Sequence, residues 1–185
     1  MRVFATYNIK GGVGKTATAV NLAYLAARDG ARTLIWDLDP QAAATFYFRI
    51  RAKVKGGAKK LLKGKRPLDA TIRGTDFEGL DLLPADFTYR NMDLDLVRRK
   101  RPTQQLASLL LPLSLQYDYL FLDCAPSISL VSESVFVATD FLLVPTIPTT
   151  LSLRTVSYTH LTLPTTGISW RGRGAEGGDV WGGGG

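Results

Sequence analysis

The chain has 185 residues, 45% of them hydrophobic, and a formal net charge of +7. That is one domain's length with an ordinary share of core-forming residues, and no apolar run approaches the roughly 18 residues of a membrane-crossing helix. Cys124 is the single cysteine, which excludes an internal disulfide and fits a reducing, cytoplasmic setting.

The opening MRVFATYN enters a strand pattern at once, so neither a secretory leader nor a preceding domain is expected. Residues 2–7 (RVFATY) read as a short buried strand that runs into a glycine-rich loop. Across 15–29, small and apolar residues recur at helical spacing (Ala19, Leu22, Ala23, Ala26), and Gly30 is a helix stop. Residues 32–38 (RTLIWDL) form a second apolar strand ending in acids and Pro40. From Arg49 to Arg66 there are nine basic residues and no acid, and Arg98-Arg99-Lys100-Arg101 form a smaller cluster. The long run reads either as a solvated, partly mobile basic loop or as a polyanion-attracting surface. Further on, 67–73 suggests a helical turn, 79–83 a third strand and 103–111 a helix. Residues 117–122 and 141–145 are two more apolar strands, with a helix around 129–138 between them. Strands apolar on both faces, alternating with helices, predict an α/β fold whose mostly parallel sheet is covered on both sides.

Three motifs carry chemistry. In NIKGGVGKTATAV, residues 8–20, a strand, a glycine loop and a helix follow in order. Glycines let backbone N–H groups turn toward a phosphate, and the helix N-terminus adds partial positive charge. Lys15 is placed to reach the β- and γ-phosphates and the Thr16 hydroxyl to bind magnesium. The common spacing G-x-x-x-x-G-K-[ST] fails, because its first glycine would be Ile9; the run instead fits K-G-G-x-G-K-T, with a second lysine, Lys10. The other two motifs are DLDPQAAAT, residues 37–45, and YDYLFLDCAPS, whose strand delivers Asp123 to its end. Trp36 and Cys124, beside these acids, read as core residues.

Together these motifs resemble the ParA/MinD family of deviant Walker A ATPases, and ParA more closely than MinD. The resemblance runs from about residue 2 to Thr155. It implies a P-loop NTPase-type, doubly wound sheet with nucleotide at the C-terminal ends of the strands, and ATP and Mg2+ as cofactors. It implies that Gly11, Gly12, Val13, Gly14, Lys15, Thr16 and Ala17 cradle the nucleotide. Lys10 would cross to the partner subunit's nucleotide, Asp39 would position or activate water, and Thr16, Asp37 and Asp123 would serve the metal. Ala125-Pro126-Ser127 would begin the second switch. The implied biology is ATP-dependent homodimerisation, nonspecific DNA binding and stimulation by a ParB-like protein or cargo adaptor, in plasmid or chromosome partition or cargo positioning. The implied location is the bacterial cytoplasm, at the nucleoid. Ala17 stands where the family commonly has a hydroxyl residue. A MinD-like or other cargo-positioning role is the alternative, whereas iron–sulfur relatives need at least two cluster cysteines per subunit.

Composition changes after about Thr155. VSYTHLTLPTT, residues 156–166, matches the translation of a sequencing-library transposon adapter, and WRGRGAEGGDVWGGGG follows without period or core. The expectation is a ParA-like domain over 1–155, incomplete at its C-terminus, and a non-native, disordered tail over 156–185. The 185-residue polypeptide as written would then be an inactive fragment of an active parent.

Overall fold

Strands that are apolar on both sides need cover on both sides, and the arrangement of the chain supplies it. A computed structural model of the chain describes residues 1–64 and 68–147. The boundary near Thr155, the 156–185 tail and residues 148–155 all lie outside the described residues.

The strands are β1 (Arg2–Thr6), β2 (Thr33–Asp37), β3 (Arg73–Gly74), β4 (Leu80–Leu83), β5 (Tyr119–Asp123) and β6 (Phe141–Leu143). They form one sheet in the order β3-β4-β2-β5-β1-β6. Every pairing is parallel except that of β3 with β4, which is antiparallel at the sheet's edge. All five residues of β2 are buried.

Alternate side chains enter two cores. On one face, Ile35, Leu80, Leu82 and Phe121 pack against Ala19, Ala23 and Ala27 of α1 (Lys15–Arg28) and Ala44 of α2 (Ala43–Tyr47). On the other, Val3, Ala5, Leu34, Trp36, Leu83, Leu120 and Leu122 pack against four further helices. These are α3 (Gly57–Leu62), α4 (Met92–Val97), α5 (Gln105–Leu110) and α6 (Leu130–Ala138). The fold is therefore the expected two-sided, mostly parallel α/β sheet.

The packed stripe of α1 is Ala19, Ala23 and Ala27, and Leu22 is 37% exposed at its margin. Small side chains at i, i+4 and i+8 let the helix lie close to the sheet, which displaces the bulkier Leu22 outward. Gly30, with φ of 91°, ends α1 as expected, its N–H donating to the Ala27 carbonyl at 2.9 Å.

Some expectations are corrected. The basic stretch is not simply a mobile loop, because part of it is α3. Val54, Ala58, Leu61 and Leu62 are buried there, so its lysines ride on an apolar underside. The turn expected over 67–73 is a 3-10 turn at Leu68–Ala70 that leads into the edge strand β3. The 103–111 helix is shorter, flanked by 3-10 turns at Pro102–Gln104 and Leu111–Leu115.

Candidate functional site

Strand register builds the site. Thr6, Asp123 and Asp37 are partners across β1, β5 and β2, so three buried polar side chains end three adjacent parallel strands. β5 is inserted between β1 and β2. Ligands of open α/β sheets bind where strand order reverses in this way, beyond the carboxyl ends.

The loop from β1 to α1 closes over this row. Gly12 and Gly14 have φ of 73° and 91°, a region that side chains rarely adopt. A Cβ at Gly11, Gly12 or Gly14 would meet no atom within 4 Å, so the loop's outer face is open to a ligand. Gly14 caps α1 without any side-chain hydrogen bond, which leaves the first-turn N–H groups available to an anion. Val13 is buried beneath the loop and Ala17 is exposed on the first turn.

Lys15 is buried, and its Nζ donates to the Lys10 carbonyl at 3.2 Å. Burial lowers its pKa, while Asp123 and Asp39 pull the other way. A desolvated ammonium group of this kind gains strongly from a close anion. Lys10 is half-buried in the same loop, its N–H bonded to Asn8 Oδ1 at 2.9 Å.

The three acids sit in different environments. Asp37 is buried, its Oδ1 accepting from the Asp39 N–H at 3.1 Å. Its Oδ2 accepts from the Thr45 N–H at 2.8 Å and the Thr45 hydroxyl at 2.7 Å. Burial raises its pKa, and these hydrogen bonds oppose the shift. Asp39 is half-exposed, with Oδ1 accepting from the Gln41 N–H at 2.9 Å. Asp123 is fully buried, and its Oδ2 has no hydrogen-bond partner. Burial pushes its pKa up to about 7; the Thr16 hydroxyl and Lys15 oppose this, while Asp37 and Asp39 add to it.

A buried carboxylate oxygen without a partner is costly, and a divalent cation or its water shell would satisfy it. Among the described residues no group of three or more His, Cys, Asp or Glu could hold a metal alone. Magnesium keeps several waters and is held by one or two carboxylates together with phosphate oxygens. The residues fit such a group. Cys124 is buried and its thiol is pushed up by burial, consistent with a packing residue.

The structure thus brings Lys15, Thr16, Asp37, Asp39 and Asp123 to one edge, with Lys10 in the adjoining loop. Sequence reasoning missed the supports. Asn8 is buried, its Nδ2 donating to the Pro145 carbonyl at 2.8 Å, and the Tyr7 hydroxyl donates to the Ser127 carbonyl at 2.9 Å. Thr45 links Asp37 to the Ala85 N–H, which donates to its hydroxyl at 2.9 Å. Thr45 did lie within the second motif, and a polar residue eight positions after an acid was the signal available.

A family model described as an AAA domain matches residues 1–165. The chromosome partitioning protein ParA of Myxococcus xanthus is 34% identical over 145 residues, covering 78% of this chain and 51% of that protein. Among solved structures, cobyrinic acid a,c-diamide synthase from Mycobacterium smegmatis, with an ATP analogue and magnesium bound, matches at a TM-score of 0.78 and 30% identity. That match covers 88% of this chain and 70% of the other. Apo McdA from Cyanothece matches at a TM-score of 0.81 and 26% identity, covering 88% of this chain and 65% of the other. The chain spans about half the length of the curated relatives it matches.

Proposed function

Because the chain belongs to the AAA domain family and is a ParA-like P-loop ATPase in sequence and fold, we propose that the protein hydrolyses ATP with magnesium to drive partition or cargo positioning. The observation that carries this reading is the unpaired, buried Asp123 Oδ2 at the strand edge shared with Lys15 and the open glycine loop. When bound, magnesium-ATP supplies the scissile phosphoanhydride and the metal's positive charge.

The chain's own residues do the rest. The N–H groups of Gly11 to Ala17 hold phosphate oxygens, and Lys15 Nζ exchanges its contact with the Lys10 carbonyl for one with phosphate. Asp123 and Thr16 hold the cation's side of the pocket. Both oxygens of Asp37 are already engaged by Asp39 and Thr45, so it supports the metal shell through charge and position. Asp39 Oδ2 accepts a proton from the attacking water or orients it.

Lys10 is the residue that makes turnover depend on pairing. Lent to a second copy's nucleotide, its ammonium stabilises charge at the transferring phosphoryl group only in the dimer. The dimer then binds DNA nonspecifically and is released on hydrolysis stimulated by a partition partner or cargo adaptor. The protein acts in the bacterial cytoplasm, at the nucleoid. In the full-length protein, Lys10→Ala should abolish ATP turnover while leaving nucleotide binding to the monomer intact. Turnover that survives the substitution would remove the shared-lysine role.

A further inference from the structure

We propose that the groove between residues 50–55 and the edge strand β3 receives the phosphate backbone of duplex DNA. The proposal locates the DNA contact of the function proposed above and rests on that reading. The groove, of about 570 Å³, is lined by Ile50, Arg51, Lys53, Lys55, Arg73 and Gly74, four of them cationic and none acidic. Arg51, Lys53, Lys55 and Arg73 are all exposed, and none is in a salt bridge among the described residues.

The cations are mounted on a fixed scaffold. Val54, between Lys53 and Lys55, is 4% exposed, and its N–H donates to the buried Asp86 Oδ2 at 2.7 Å. Three residues after Lys55, the Ala58 N–H donates to the Thr88 hydroxyl at 2.8 Å. Across the groove, Arg73 Nη1 donates to the Ile72 carbonyl at 2.9 Å. Val54 is thus pinned inward while its two lysine neighbours face out.

Charge selects the partner: four exposed cations along one shallow groove suit the closely spaced phosphates of a duplex backbone. Charge without base-reading geometry gives sequence-independent binding with a steep salt dependence. The same segment begins at the switch: Thr45, bonded to Asp37, lies on α2, which leads directly into it.

The test uses the full-length protein with magnesium and ATP, a mixed-sequence DNA duplex, and fluorescence anisotropy across a salt series. Arg51→Gln/Lys53→Gln/Lys55→Gln should weaken binding at low salt by at least about tenfold. It should also make the log–log salt slope shallower by about 2.7, near 0.9 per lost phosphate contact. Lys59→Gln/Lys60→Gln/Lys63→Gln, an equal change of net charge on and just beyond α3, should lose clearly less. Magnesium-dependent ATP binding should be unchanged in both, showing that the site still folds. An unchanged slope, an equal loss in both variants, or no duplex binding by the wild type would overturn the groove. So would a loss confined to phosphatidylglycerol vesicles with duplex binding retained. If the wild type binds duplex through the groove but never binds ATP, the ATPase reading fails and the groove stands.

Discussion

Asp123 is held fully buried with one oxygen unpaired, and burial lifts its pKa to about 7 from an ordinary value of 3.8. Between about pH 4 and pH 7 the folded chain therefore keeps a proton that the unfolded chain has released. Stability falls as pH rises through that window, and the loss is complete above it. Asp37 titrates in the same upward direction, again chiefly through burial. Asp123→Asn should remove most of this dependence. In denaturant titrations without nucleotide, the variant should be more stable than wild type at pH 8 and vary less between pH 5 and 8. It should also lose magnesium-dependent ATP binding. A variant less stable than wild type at pH 8 would show that the carboxylate is satisfied in the free protein. The position of Asp123 at the end of an apolar strand was legible from the run that precedes it. The burial and the missing partner that make it expensive depend on Asp37 lying opposite in the register, and no local pattern carries that.

Among the elements, α3 best separates what the sequence could say from what it could not. A run of nine cations without an acid points to solvent, and the lysines of α3 are indeed exposed. Between them, however, Ala58, Leu61 and Leu62 turn inward and pack with α4, α5 and the sheet core. The helix has only six residues, too few for a helical period to stand out against the charge. Leu61→Ala should destabilise the protein by about 2–5 kcal/mol, read from the shift in denaturant midpoint at constant slope. A change below about 0.5 kcal/mol, the size of an ordinary surface substitution, would mean that α3 is not docked. The strands β1, β2 and β5 were legible because each carries an apolar run, the mark of a strand buried on both faces. The edge strand β3 was not, since two exposed residues pair only because Gly74 and Arg73 meet Asp81 and Leu82 across the sheet.

At the scale of the whole molecule, sequence order and spatial order diverge where the chemistry collects. Three motifs separated by many residues meet because β5 enters between β1 and β2. The spacing within each motif was readable, and so was the parallel α/β class. The supports were not: Asn8 reaching Pro145 and Tyr7 reaching Ser127 join residues more than a hundred positions apart. In the function proposed above, the glycine loop, Lys15 and Asp123 together hold magnesium-ATP. Isothermal titration of the full-length protein with ATP, with and without magnesium, tests it most directly. Saturable, magnesium-dependent binding that disappears in Lys15→Ala is the expected result. Absence of saturable binding, or binding unaffected by magnesium or by Lys15→Ala, would contradict it.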